Sequence, residues 1–123
     1  MSGIVNIEKC FERFGDLFSP KIVGELNGQH VKLVRAEGDK VPIHTHDDED
    51  ELFLVFEGEL DIIDGDKEFT LRPGEFYIVR RGREHRVVPR GHVKLLLFEP
   101  AEIKHTGKVR AEITKDSFDI LDF

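Results

Sequence analysis

From about Lys21 onward the chain runs in short stretches of β-branched and aromatic residues broken by glycine and other turn formers. This texture predicts an all-β domain with a turn roughly every eight to twelve residues. The stretches predict strands over Lys21–Leu26, His30–Ala36, Pro42–His46, Glu51–Glu57, Glu59–Ile63, Lys67–Leu71, Glu75–Val79, His85–Val88 and Lys94–Glu99. Asp64-Gly65 signals a tight hairpin of type I′, whose central residues both need positive φ. Asn27-Gly28, Arg72-Pro73-Gly74 and Arg90-Gly91 mark further turns, and Gly58 marks a sharp bend. Leu52-Phe53-Leu54-Val55-Phe56 and Leu95-Leu96-Leu97-Phe98 are apolar at consecutive positions, so both faces of these strands are covered, as in a sandwich or closed barrel. Before Lys21, the spacing of Ile7, Phe11 and Phe14 predicts one or two helical turns capped by Asn6. The tail after Pro100 mixes charge with Ile103, Val109, Ile113, Phe118, Ile120, Leu121 and Phe123, and is expected to pack across the barrel or against a partner subunit.

Composition narrows the setting. A length of 123 residues fits one domain, and no apolar stretch approaches the roughly 20 residues that a membrane helix needs. The N-terminus lacks the basic-then-apolar order of a secretion signal, so a cytoplasmic location without membrane contact is expected. The one thiol, Cys10, has no second cysteine to pair with. A formal net charge of -7 opposes binding to a phosphate backbone, so no nucleic-acid partner is expected. Charge is also unevenly placed: Asp47 to Glu51 run together, and Arg80, Arg81, Arg83 and Arg86 crowd a later segment. Such runs are ordinarily solvated faces that balance one another. The alternative is that Arg83 and Arg86 present guanidinium forks to an anionic substrate.

The chemistry concentrates in four residues. On a strand, His44 and His46 point to the same face, so two imidazoles can converge on one ion. Glu51 lies an odd number of residues beyond His46, so a turn across Asp47–Asp50 must bring its carboxylate back to that face. Glu51, Phe53 and Val55 then share one face, with the carboxylate at the mouth and apolar residues deeper. Glu57, Glu75, Tyr77 and Lys40 are possible acids or bases with surface roles as the default, and His30, His92 and His105 read as bystanders. Nucleophile-elbow, phosphate-loop and dinucleotide motifs are absent, and the acidic run lacks EF-hand spacing.

Read outward, Gly38, His44, His46, Glu51 and Gly58 carry the spacing of the first cupin motif, and Gly74, Gly82 and His85 that of the second, at 38–58 and 74–89. The chain therefore resembles a small single-domain cupin, of the kind often labelled mannose-6-phosphate isomerase-like, a label that belongs to larger relatives. The resemblance implies a double-stranded β-helix (jelly-roll) barrel over about 21–100 within a single domain of 1–123, with a short N-terminal extension and a C-terminal tail. It implies that His44, His46, Glu51 and His85 hold one divalent transition metal (Mn, Fe, Co, Ni or Zn), and that the protein is a homodimer. Arg80 stands where the family motif has proline, and Pro89 where it has asparagine; neither change removes a ligand. Burying three histidines and a carboxylate also favours an ion on physical grounds, since unpaired they would cost several kcal/mol. Open metal positions point to an enzyme acting on a small oxygenated, possibly anionic substrate by isomerisation, decarboxylation or oxygenation. The alternative is a metal-dependent binding or sensing barrel without turnover.

Overall fold

In a computed structural model, which describes residues 3–102, 106–107, 111–115 and 117–121, the regular structure is almost wholly strand. The elements are a short helix α1 (Ile7–Phe11), then β1 (Lys21–Leu26), β2 (Gln29–Ala36), β3 (Glu51–Asp64), β4 (Lys67–Leu71), β5 (Phe76–Val79), β6 (His85–Pro100) and a two-residue β7 (Asp119–Ile120). α1 forms where the pattern predicts it: Asn6 is extended, and its side chain accepts the backbone N–H of Lys9, one of the donors left open at a helix start.

Four of the predicted strands are in fact two. Glu51–Glu57 and Glu59–Ile63 fuse into the 14-residue β3, and His85–Val88 and Lys94–Glu99 into the 16-residue β6. The two long strands pair antiparallel along their length, with register shifts only around Glu57 and Glu59. Gly58 sits there at φ 88°, and a Cβ on it would lie 2.6 Å from the His92 carbonyl oxygen. The ladder therefore passes through this glycine as a bulge that bends the strand without ending it. Burial changes parity across the bend: Glu51, Phe53 and Val55 are buried before it, and Leu60, Ile62 and Asp64 after it. The bend folds the β3–β6 ribbon back on itself. Phe53 and Val55 from one half thus share a single buried cluster with Leu60 and Ile62 from the other, together with Val87, Val93, Leu95 and Leu97.

The first half of β3 also pairs with β5 and its second half with β4, while β6 pairs with β2, β2 with β1, and β7 lies parallel to β1. This is the jelly-roll form of a double-stranded β-helix. Outside it, Cys10 and Phe11 of α1 bury a second small cluster with Val23 and Leu33, against which Leu121 packs. The described part of the tail thus crosses the barrel; Ile103, His105, Val109 and Phe123 lie outside the described residues. Among the described residues no helix is long and apolar enough to cross a membrane.

Two local expectations are corrected. Pro42–His46 is not a strand: Pro42 has no N–H to give a ladder, and the chain turns away directly after His46. Pairing there shrinks to one bridge, in which His44 and His85 exchange both backbone hydrogen bonds at 2.9 Å. The hairpin near Asp64 closes one residue later than predicted. Asp64 pairs with Lys67, and of the loop residues Gly65 and Asp66 only Gly65 has positive φ, at 63°, the pattern of type II′. The type I′ requirement is met instead at Asn27-Gly28, with φ of 51° and 75°.

Gly58→Ala should cost about 2–4 kcal/mol in a urea titration, from left-handed strain plus a backbone clash. Gly74→Ala is the control, with φ 85° but nothing within 4 Å of its added Cβ, and should lose only about 1–2 kcal/mol. Equal losses would show that the approach to His92 carries no weight.

Candidate metal centre

The bridge between His44 and His85 places two imidazoles on facing strands, and alternation along the extended segment adds His46 on the same side. The Gly82 N–H donates to the His46 carbonyl at 2.8 Å and holds this segment against the loop that precedes β6. Residues 47–50 then turn, and Glu51 enters as the first inward residue of β3. All four residues are buried, none more than 6% exposed. One ligand atom from each lies within 4.8 Å of all the others. Glu51 Oε1 is 3.6 Å from His46 Nε2 and 3.4 Å from His85 Nε2.

The histidines are oriented from behind. His44 Nδ1 is 2.8 Å from the Pro42 carbonyl and His85 Nδ1 is 3.0 Å from the Arg83 carbonyl. Each Nδ1–H donates outward, which leaves the Nε2 lone pair facing the cluster. Burial pushes the His44 and His85 pKa values down, so both rings are held neutral, the form that ligates. His85 Nε2 and Glu51 Oε1 are buried and have no hydrogen-bond donor among the described residues. Acceptors converging in an apolar setting without a donor are costly, and a divalent cation is the species that satisfies them together. The donor set therefore fits a metal ion.

A second pair of charges stands beside these four, and the motif spacing does not reveal it. Lys32 is fully buried, with its Nζ 2.9 Å from Glu99 Oε1; Glu99 itself is 2% exposed. The Glu99 carboxyl in turn stands next to Glu51, its neighbour across the β3–β6 pair. Burial, and then the neighbouring Glu51, raise Glu99 well above the ordinary carboxyl range, and burial raises Glu51. Strand alternation was the available signal: Glu99 follows inward Leu95 and Leu97, and Lys32 precedes inward Val34 and Ala36.

Beside the cluster lies a cavity of about 60 Å³, walled by Val34, Phe53, Val87 and Leu95, with His44, Glu51 and Glu99 among its polar edges. Arg83 and Arg86 do not line it. Arg83 donates to Asp64 Oδ1 at 2.9 Å, and Arg86 is paired with Asp39. Arg81 and Arg80 close on Asp50, whose carboxyl the Arg81 hydrogen bonds hold down to about 2. Tyr77 donates to Asp64 at 2.6 Å, Glu57 pairs with Lys94, Glu75 accepts the Arg72 N–H, and Lys40 faces Glu112. None of these four lines the cavity.

Comparison with known proteins agrees with this geometry. The sequence model of the family described as "Cupin domain" matches residues 32–106. Among solved structures, the chain is similar to a cupin-2 domain containing protein from Shewanella frigidimarina, at 36% identity and a TM-score of 0.76, over 79% of this chain and 94% of that one. It shares its fold with a protein from Neisseria meningitidis at 24% identity and a TM-score of 0.71, over 80% and 99% of the two chains. A sugar phosphate isomerase of the cupin superfamily from Silicibacter pomeroyi is similar at 29% identity and a TM-score of 0.54, over 63% and 53%. No protein with a curated description matches.

Because the Glu51 and Glu99 carboxyls are both raised, they retain protons at a pH where free carboxyls have lost them, and an incoming ion must displace what they hold. Uptake of one divalent ion should therefore release protons, and the release should fall as pH rises through the folded values. The dependence of binding enthalpy on buffer ionisation enthalpy, followed across pH, measures it; release that stays absent however far the pH is lowered while the ion still binds would contradict the raised pair.

Proposed function

This chain belongs to the cupin domain family, and on that premise we propose that it is a metal-dependent enzyme whose His44, His46, Glu51 and His85 hold one divalent transition-metal ion against the apolar cavity. The observation that carries this reading is the convergence of four buried ligand atoms within 4.8 Å, with His85 Nε2 and Glu51 Oε1 lacking a hydrogen-bond donor among the described residues. Imidazole nitrogens with a single carboxylate suit Mn, Fe, Co, Ni or Zn better than Ca or Mg. Such an ion polarises a bound carbonyl or lowers the pKa of a bound oxygen.

The chain's own residues supply the rest. Outward Nδ1 hydrogen bonds keep the rings in one tautomer, and Phe53, Val87 and Leu95 keep bulk water from the side of the cavity they wall. A small oxygenated molecule, such as a sugar derivative or an oxo or hydroxy acid, would present its oxygen at the His44 and Glu51 edge. The reaction classes that suit this arrangement are isomerisation, decarboxylation and oxygenation. Similarity to a protein described as a sugar phosphate isomerase supports an oxygenated substrate. Arg83 and Arg86 stay outside this reading, because each guanidinium already holds an aspartate.

His44→Ala or His85→Ala should lower metal content from about one ion per chain to none, by elemental analysis, while the far-ultraviolet circular dichroism stays that of a β protein. Wild-type protein that takes up no metal on add-back would sink the assignment. With the metal loaded, conversion of an oxo acid, hydroxy acid or sugar derivative that disappears in His46→Ala supports an enzyme. Binding of such a compound without conversion would make the protein a sensing or carrier barrel instead.

A further inference from the structure

Lys32 and Glu99 take no part in the ligand set, yet they occupy the interior next to it. The β3–β6 register that sets Leu52 opposite Phe98 brings Glu51 beside Glu99 one step further on, and the β2–β6 register sets Lys32 opposite Leu97, diagonal to Glu99. Three strands thus meet in one line of contacts. Lys32 Nζ lies 2.9 Å from Glu99 Oε1, the Glu99 and Glu51 carboxyls are neighbours across the strand pair and line the same cavity, and Glu51 Oε1 lies 3.4 Å from His85 Nε2. The ammonium is capped on its other side by the Phe118 ring, 3.6 Å from Nζ to the centroid.

An inward Lys–Glu pair is a poor device for stability, because well-packed apolar residues in its place usually serve a barrel as well or better. Its other neighbours on the inner face, Val34, Ala36, Leu95 and Leu97, are apolar. A terminal carboxylate torsion, by contrast, is broad and is fixed only by what touches the group. We propose that Lys32 and Glu99 are a positioning pair for Glu51: they hold its carboxylate toward the three histidines and so set the affinity and coordination geometry of the site. This rests on the metal-site reading above. Glu99 reaches Glu51 across the strand pair, and Lys32 fixes Glu99 from β2, offsetting the repulsion that two adjacent carboxylates would otherwise exert.

The test loads cobalt(II) into purified full-length protein and reads three quantities: dissociation constant, visible absorption and thermal midpoint. Lys32→Met/Glu99→Leu should keep a thermal midpoint at or above that of the wild type. It should nevertheless weaken cobalt(II) binding at least tenfold, within the roughly 10- to 100-fold range of outer ligand supports, and shift the cobalt absorption bands. Glu99→Gln can still accept from Lys32 and donate to Glu51, so it should lose far less affinity than the double variant. Unchanged affinity and spectrum in the double variant overturns the proposal whatever happens to its thermal midpoint, as do equal losses in the two variants. Should the double variant fail to fold, Lys32→Met carries the test: a weaker, spectrally altered cobalt(II) complex supports the proposal, and a wild-type complex overturns it. If the wild type takes up no cobalt(II), the metal-site reading fails and takes this proposal with it. Normal uptake with unaffected variants removes only the positioning role.

Discussion

The folding of the β3–β6 ribbon back on itself at Gly58 is the constraint on which the rest of the structure depends. A straight strand of 14 residues would separate its ends by more than about 40 Å. Bent at the bulge, β3 returns, so that Glu51 at its start and the Asp64–His85 pair at its far end come to the same side of the barrel. That is how a carboxylate and an imidazole 34 positions apart stand 3.4 Å from each other. The bend also closes the core, since the inward residues of both halves pack on one another. Gly58 can play this part because the His92 carbonyl fills the space a side chain would need. The strand break that a glycine suggests and the bend that it makes are therefore different outcomes of one property: a glycine in a strand ends the pairing only when the partner strand has no matching irregularity.

Closing the barrel in this way creates an interior that is apolar except at one end, and the energetics of that end follow from its isolation. Burial opposes charge on His44, His85 and Glu51, and among the described residues no donor reaches His85 Nε2 or Glu51 Oε1. Taking even one carboxylate out of water costs several kcal/mol before compensation. Lys32 brings a positive charge to Glu99, but its 2.9 Å contact is with Glu99 and not with Glu51. The buried ammonium thus acts on Glu51 from a distance, and the converging ligand atoms still suit a cation of their own.

Much of this was legible in the sequence, for reasons that can be named. Alternation is a property of the extended backbone itself, so the shared face of His44 and His46, the inward Glu51 and the apolar residues beyond it could be read without knowing any partner strand. The Asn6 cap is likewise local. What escaped were features that depend on register. Whether Gly58 ends a strand is decided by the His92 segment opposite, and whether Asp64 or Gly65 begins the hairpin loop by how Lys67 pairs. Pro42–His46 has the residues of a strand but only one bridge to support it. Lys32 and Glu99 were readable in principle, since parity puts both on the inner face. The rule that charged residues face water points the other way at these positions, and it fails where two opposite charges are buried together.

Arg83 shows why a cation near a ligand motif needs its backbone considered before its charge. Its guanidinium lies across Gly65, where a Cβ would sit 2.9 Å from Nη2, and donates to both the side chain and the carbonyl of Asp64. Asp64 is 4% exposed; burial alone would raise its carboxyl, but hydrogen bonds from Tyr77 and Arg83 hold it below the ordinary range. The β3–β4 hairpin is thereby locked to the loop before β6, with the Gly65 N–H donating to Glu84 across the same junction. What this lock presents to the cluster is the Arg83 carbonyl, which accepts from His85 Nδ1 and turns Nε2 inward. A lysine there would keep the charge but lose the planar fork that grips Asp64 at two points. The arginine thus bears on the candidate centre through its carbonyl oxygen, while its guanidinium, paired with Asp64, secures the loop that carries it.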